Sequence, residues 1–170
     1  MEEESNPETA TSILDFTATD IDGMTVGLEK YRDHVCVIVN VASYWALAEV
    51  NYQQLVEMYT NHSEAPDGLR VLAFPCNQFA NQEPETNEVI KEFVDGYNVE
   101  FDMFDKIDVN GDNSHPIFQY LKTKFEETLN GNIQWNFTKF VIDRNGIPSA
   151  VFGPKTNPIP DVLDHCKTLF

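Results

Sequence analysis

The chain has few basic residues and no long apolar run. Its 170 residues include 11 Lys and Arg against 28 Asp and Glu, which gives a formal net charge of −17. A surface with this charge repels phosphate backbones and anionic bilayers, so we expect no nucleic-acid partner. No apolar stretch approaches the roughly 20 residues that a membrane-spanning helix needs, so we also expect no membrane span.

The chain also lacks a recognisable targeting segment. Its first residues show neither a basic segment followed by an apolar one nor an Arg-rich amphipathic presequence, and we therefore expect a cytoplasmic location. Residues 1–12 are acidic and poor in apolar side chains, which predicts a disordered tail. Residues 13–170 have the length and the apolar content of one globular domain.

Cysteine is scarce, and its 3 copies are Cys36, Cys76 and Cys166. An odd number of scattered cysteines does not indicate a disulfide framework, so we expect free thiols. The 4 histidines have no close Cys or His partner, which leaves no zinc-binding spacing. We therefore expect neither a metal nor a bound cofactor.

The order of apolar segments predicts an α/β fold. Residues 35–41 and 71–75 are continuous apolar runs, typical of parallel strands buried on both faces of a sheet. A terminal hairpin is predicted at 139–143 and 149–153. Further predictions are a small N-terminal hairpin with arms at 13–16 and 24–26, a helical turn at 28–32, a strand within 101–109, and helices at 49–59, 85–97, 114–125 and 160–169. Together these elements predict a thioredoxin-like fold, with a mixed central sheet, helices on both faces and the small hairpin.

Finer details of these helices are predicted as well. In the helix at 85–97, Val89, Ile90, Phe93 and Val94 are expected to face the core. The helix at 114–125 is expected to have Ser114 as its N-cap, with Pro116 in the first turn.

The segment after the first buried strand is built like a reactive-thiol turn. A strand that runs through small residues into a helix places one side chain at a positively polarised helix N-terminus, which suits a thiolate or a selenolate. Trp45 occupies that position. An indole can stack or donate one hydrogen bond, but it cannot attack a peroxide.

Three further side chains are suitable partners for a reduced chalcogen. Gln82, Trp135 and Asn136 carry amide or indole N–H groups, which donate hydrogen bonds to a leaving oxygen without removing a proton. Each alone is more simply explained by a structural role, because a buried Trp anchors a core and Asn or Gln satisfies backbone groups in turns. Their combination is the unusual feature.

Several motifs together resemble the glutathione peroxidase family, most closely its monomeric phospholipid-hydroperoxide branch. The matching stretches are Asn40-Val41-Ala42-Ser43, Asn51-Tyr52, Leu72-Ala73-Phe74-Pro75-Cys76-Asn77-Gln78-Phe79, Gln82-Glu83-Pro84, Val109-Asn110-Gly111-Asp112 and Trp135-Asn136-Phe137-Thr138-Lys139-Phe140. By this resemblance Gln82, Trp135 and Asn136 fall on three members of the catalytic tetrad. The fourth member, selenocysteine or cysteine, falls on Trp45.

The resemblance implies a reaction and its partners. The family reduces hydrogen peroxide and organic or lipid hydroperoxides in the oxidative-stress response, with glutathione or thioredoxin as the thiol reductant. The short segment 122–135 lacks the insertion that tetrameric relatives use for assembly, which implies a monomer. Ala46, Ala48, Gln134 and the pair Ala150-Val151 stand where relatives commonly have glycine, threonine and basic residues.

Three interpretations of Trp45 stay open at the level of the sequence. In the first, the codon for residue 45 is a misread selenocysteine codon. In the second, the chain is a catalytically silent member of the family that binds or regulates. In the third, Cys76 supplies residual activity, since residues 88–97 contain no resolving cysteine. In a silent member, Trp45 forms an exposed aromatic patch with Tyr44, or it folds onto Trp135 and adds only packing.

Overall fold

The computed structural model describes residues 6–170, so residues 1–5 of the predicted tail lie outside the described residues. The remainder of that stretch is folded. The Asn6 carbonyl accepts the N–H groups of Thr9 and Ala10 at 3.1 and 2.9 Å. The buried Ser12 hydroxyl accepts the Leu14 N–H at 3.1 Å and caps a 3-10 turn at Ile13–Asp15. Folded structure therefore begins before residue 13.

The strands form a small hairpin and a mixed five-stranded sheet. The hairpin pairs β1 (Thr17–Thr19) with β2 (Thr25–Gly27), and the 3-10 turn Leu28–Tyr31 follows it. The sheet strands are β3 (Cys36–Val41), β4 (Arg70–Pro75), β5 (Asp102–Met103), β6 (Lys139–Ile142) and β7 (Pro148–Phe152). Their spatial order is β5-β4-β3-β6-β7, in which β3, β4 and β5 run parallel and the β3–β6 and β6–β7 pairs are antiparallel.

Helices cover both faces of this sheet, as the sequence predicts. They are α1 (Ala48–His62), α2 (Asn87–Asp95), α3 (Pro116–Lys124), α4 (Glu126–Leu129) and α5 (Leu163–Lys167). Alternate residues of β3 enter opposite cores: Ile38 packs in the core that contains α3, and Val37 packs in the core that contains α1, α2 and α5. None of the helices in the described part of the chain combines the length and the apolar character that crossing a bilayer requires.

Two predictions about the first hairpin and the third helix were wrong in detail. The first hairpin arm, predicted at 13–16, is the 3-10 turn, because the Ser12–Asp15 capping box favours a helical turn there and moves the strand to β1. The predicted N-cap Ser114 is replaced by His115, whose Nδ1 accepts the Ile117 N–H at 3.2 Å.

Three other details also differ from the prediction. Val89, expected to face the core, is 41% exposed, whereas Ile90 and Val94 are buried and Phe93 packs against the core half-buried. The strand expected within 101–109 is only the two-residue β5. The helix expected at 160–169 begins as a kinked segment, Pro158–Val162, with Ile159 in an extended conformation, and becomes regular only in α5.

The turn between β6 and β7 requires glycine at position 146. Gly146 has φ +80°, and a Cβ there would lie 2.6 Å from Leu14 Cγ and 3.2 Å from Ser12 Cβ. Its carbonyl also accepts the Ile13 N–H at 2.9 Å, so the turn packs tightly on the N-terminal segment.

We expect Gly146→Ala to lower the free energy of unfolding by roughly 2–4 kcal/mol, because a strained φ and a steric overlap add. Urea denaturation measures this change. Gly131→Ala is the matched control, since Gly131 has φ +87° but nothing within 4 Å of the added Cβ. Equal destabilisation by both variants would show that the contact with Leu14 contributes nothing.

Candidate functional site

Residue 45 lies in the turn between β3 and α1, at the helix N-terminus. The half-buried Trp45 precedes α1 by three positions, and its carbonyl accepts the Ala48 N–H at 3.0 Å. Leu47 is the N-cap and provides no side-chain hydrogen bond. The partial positive charge of a 15-residue helix is therefore not offset by a capping side chain beside residue 45.

The Trp45 indole is held by aromatic stacking. Its ring stacks on Phe137 with a centroid distance of 5.7 Å and an interplanar angle of 22°. Phe137 in turn meets Tyr52 of α1 edge-on at 5.3 Å. Trp135 packs against Phe79 with a centroid distance of 5.5 Å, and the alternative in which Trp45 also packs onto Trp135 stays a prediction.

The segment with Trp135 and Asn136 is fixed to the end of β3 by the buried Asn40. Asn40 Nδ2 donates to the Trp135 carbonyl at 3.0 Å, and its Oδ1 accepts the Thr138 N–H at 3.2 Å. The Asn40 carbonyl accepts the Phe137 N–H at 2.6 Å. Phe137 adopts φ +58°, a conformation that three hydrogen bonds to one strand residue stabilise.

Gln82 connects this segment with the turn. Asn136 Nδ2 donates to Gln82 Oε1 at 2.7 Å, and the Gln82 carbonyl accepts the Tyr44 N–H at 3.0 Å. Because Gln82 accepts through its side-chain oxygen, its amide N–H donors stay available for other partners. The structure thus brings Gln82, Trp135 and Asn136 to the turn that carries Trp45.

A charged residue that sequence reasoning did not single out lies under the same turn. The fully buried Glu83 accepts the Ser43 N–H at 3.1 Å and the Ser43 hydroxyl at 2.5 Å through Oε1. Burial raises the pKa of Glu83 to about 7. In the sequence Glu83 is visible only as part of the Gln82-Glu83-Pro84 motif, and no pattern shows that its carboxyl group faces inward.

Trp45 and Trp135 line one groove with a volume of about 530 Å³. The other lining residues are Gln134, Gly153, Pro154, Lys155 and Thr156. The 153–156 side of the groove rests on the fully buried Lys139, whose Nζ donates to the carbonyls of Gly153, Pro154 and Thr156 at 3.5, 3.3 and 2.8 Å. Burial lowers the pKa of Lys139 to about 7.

The groove combines one cation with exposed apolar neighbours. Lys155 supplies a positive charge, although Gln134 beside it is neutral. On either side of Trp45 in the chain, Tyr44 is 56% exposed and Leu47 is 37% exposed. The Tyr44 hydroxyl donates to Glu85 at 3.2 Å, which fixes the ring at the surface.

The three cysteines lie away from solvent. Cys36, Cys76 and Cys166 are free and are each at most 1% exposed. Burial raises the pKa of Cys76 to about 11, and its Sγ lies 3.5 Å from Gln78 Oε1. Among residues 6–170 no cluster of His, Cys, Asp or Glu is arranged to hold a metal ion.

Known proteins similar to this chain share both its sequence and its fold. A family model described as glutathione peroxidase matches residues 13–122. A phospholipid hydroperoxide glutathione peroxidase of Callithrix jacchus is 53% identical over 151 residues, which are 88% of this chain and 76% of the relative. A relative of the same name from Bos taurus is 51% identical over 152 residues, with the same coverage of 88% and 76%.

Solved structures extend the similarity to three dimensions. The crystal structure of T. cruzi GPX1 matches with a TM-score of 0.77 and 31% identity, covering 94% of this chain and 96% of that one. A thioredoxin family thiol:disulfide interchange protein from Chlorobium tepidum matches with a TM-score of 0.67 at 16% identity, over 99% of each chain, which supports the fold alone. With a thioredoxin-like fold, a matching family model and relatives above 50% identity, the chain belongs to the glutathione peroxidase family.

Proposed function

We propose that this chain is a glutathione-peroxidase-type protein of the oxidative-stress response whose groove beside residue 45 binds hydroperoxides. The family reaction is the thiol-dependent reduction of hydrogen peroxide and of organic or lipid hydroperoxides. Trp45 leaves that reaction impaired or absent in the chain as encoded. The single observation that carries the proposal is that Gln82, linked to Asn136 at 2.7 Å, lies against the turn that holds Trp45.

The reaction needs sulfur or selenium at position 45. A chalcogenolate there attacks the peroxide, so that a chalcogen–oxygen bond forms, the O–O bond breaks, and the leaving alkoxide takes a proton to become an alcohol. Two equivalents of thiol then return the oxidised chalcogen to its reduced form, with release of water and a disulfide. Gln82, Trp135 and Asn136 would donate hydrogen bonds to the oxygen that becomes negative. An indole N–H supports none of the covalent steps.

The groove favours an apolar hydroperoxide and one anionic group. Trp45 and Trp135 offer an apolar wall, which suits the hydrocarbon chain of a lipid hydroperoxide. Lys155 offers one cation for the carboxylate of glutathione or for a phosphate. Thioredoxin is the alternative reductant. The monomeric state and the cytoplasmic location stay predictions.

A second candidate function is that of a catalytically silent member that binds an apolar ligand or partner. The exposed Tyr44 and Leu47 next to Trp45 favour it, because they extend the apolar surface beyond the groove. In this function the donors Gln82 and Asn136 are structural, and Trp45 is part of the binding surface.

The identity and the role of residue 45 can be tested directly. Mass spectrometry of the natural protein across residues 40–52 is expected to find Trp45, and peroxide consumption with glutathione or thioredoxin is expected to stay at background. Trp45→Cys should raise that consumption by at least roughly tenfold, equal to about 1.4 kcal/mol of barrier, because it restores a nucleophile among intact donors.

Two control variants separate the chemistry from folding. Trp45→Ser should stay at background, since a hydroxyl at this position has no activating base. Adding Asn136→Ala to Trp45→Cys should remove most of the gain. Sulfur or selenium found at position 45 of the natural protein would overturn the assignment of impaired turnover, and a silent Trp45→Cys would contradict the proposal that the donors are competent.

The reactivity of the Cys76 thiol can be tested by chemical labelling. In the folded protein a thiol reagent such as iodoacetamide is expected to label all three cysteines slowly, because they are buried and burial raises the pKa of each. All three should react promptly in denaturant. Fast labelling of Cys76 in the native protein, together with turnover that Cys76→Ser abolishes, would instead assign the activity to Cys76.

The groove and the apolar surface beside it, which includes Leu47, can be tested together as one binding site. Zwitterionic lysophosphatidylcholine below its micelle concentration should shift tryptophan emission to shorter wavelength, because Trp45 and Trp135 both line the groove. Leu47→Ser should weaken this binding by roughly fivefold, equal to about 1 kcal/mol of apolar contact. Val89→Ser, an equally exposed apolar position on α2, is the control and should bind normally. An unchanged emission would contradict binding of an apolar chain.

A further inference from the structure

Glu83 is a buried carboxyl group that the reduction chemistry does not use. Its backbone is held rigidly: the Glu83 N–H donates to Asn77 Oδ1 at 3.0 Å, and its carbonyl accepts Lys106 Nζ at 3.1 Å. Lys106 is itself anchored by the Glu85 carbonyl at 2.6 Å. The side chain of Glu83 therefore projects from a fixed segment, and it can hold the residue that it contacts in a fixed position.

What it contacts is the turn before residue 45. Both donors of Ser43 meet Glu83 Oε1, and the hydroxyl does so at 2.5 Å, a length typical of a hydrogen bond to a carboxylate. The next residue, Tyr44, donates its N–H to the Gln82 carbonyl. Two successive residues of the turn are thus held by Gln82 and Glu83, and the residue that follows them is Trp45.

The surroundings of Glu83 make its charge state sensitive to pH. Its Oε2 is buried and has no hydrogen-bond partner among the described residues, so ionisation is poorly solvated. The hydrogen bonds from the Ser43 hydroxyl and N–H favour the carboxylate, and the charge of Lys106 favours it further. The other titratable groups around it are Tyr44, Tyr52, Cys76 and, through its bond to Tyr44, Glu85. The loss of water on burial outweighs these hydrogen bonds and the Lys106 charge, and it raises the pKa of Glu83 to about 7.

We propose that Glu83 is a positioning residue whose ionisation tightens the turn at residues 43–45, so that residue 45 is placed differently when Glu83 is protonated and when it is ionised. Protonated Glu83 is a weaker acceptor for the two Ser43 donors, and ionised Glu83 binds both with charge-assisted hydrogen bonds. The inference concerns the turn, and it holds whether or not the protein reduces peroxides.

The sign of the accompanying stability change follows from the direction of the shift. Because the pKa of Glu83 is raised in the folded protein from 4.5 to about 7, the folded state keeps a proton that the unfolded chain loses. That contribution to stability is complete below pH 4.5 and disappears as the pH rises through about 7. Ionisation of Glu83 therefore lowers the free energy of unfolding of the protein while it tightens the turn at residues 43–45. A pH change that loosened the whole structure would lower stability and loosen this turn together.

Trp45 itself reports on the turn. The chain has 2 tryptophans, so Trp135→Phe leaves Trp45 as the only one. In this variant we expect acrylamide quenching of Trp45 to fall through a one-proton transition with a midpoint of about 7. Adding Glu83→Gln should abolish the transition, because glutamine keeps the shape and the acceptor but cannot ionise. Glu126→Gln, at an exposed glutamate in α4, is the matched control and should keep it.

A further variant separates the proposed role from a failure to fold. Ser43→Ala removes the hydroxyl donor and should raise the midpoint by about one pH unit, the size expected for one hydrogen bond to a charged group. A transition that persists in Glu83→Gln would overturn the proposal. So would a midpoint that Ser43→Ala leaves in place, or the absence of any transition near neutral pH in the parent.

Discussion

The site depends on the hydrogen bonds of one fully buried amide, Asn40 at the end of β3. Its side chain holds both ends of the segment from Trp135 to Thr138, and its carbonyl holds Phe137 in a left-handed conformation. The Asn40 amide is costly to replace, because an apolar substitute leaves the buried Thr138 N–H unpaired and leaves the Trp135 carbonyl with only the Thr138 hydroxyl as a donor. The position of Trp135 and Asn136 is therefore fixed by β3, the same strand that leads into the turn with Trp45.

From this attachment a continuous chain of hydrogen bonds runs around residue 45. Asn136 donates to Gln82, the Gln82 carbonyl accepts from Tyr44, and Glu83 accepts from Ser43. On the opposite side, Lys139 fixes the loop that closes the groove. Both ionisable supports, Glu83 and Lys139, are buried and have a pKa displaced to about 7 by that burial. Perturbed ionisable groups thus lie around the turn, although neither one lines the groove itself.

The sequence predicted the parts of this arrangement that follow from pattern and motif. The continuous apolar runs at β3 and β4 predicted buried parallel strands, and the family resemblance assigned Gln82, Trp135 and Asn136 to one catalytic tetrad. The hydrophobic pattern gave the wrong element where a local contact decides the conformation. At residues 13–16 the Ser12 capping box forms a 3-10 turn in place of the predicted first hairpin arm. The pattern also could not reveal Glu83 or Lys139 as supports, because charged residues are usually exposed and only the tertiary fold shows that these two are buried.

The three donors around Trp45 contribute to the stability of the fold as well as to the proposed chemistry. Asn136 is buried and bonded to Gln82, and Trp135 packs on Phe79, so replacing either residue would open a packing or hydrogen-bonding defect whether or not a peroxide is ever reduced. The packing role of Trp45 is smaller, since its side chain is only half-buried and its ring contact is the stacking on Phe137. A substitution at position 45 is therefore expected to cost the fold less than a substitution of Asn136 or Trp135. The hydrogen bonds and ring contacts of Asn136 and Trp135 therefore hold these residues in place whichever residue stands at position 45.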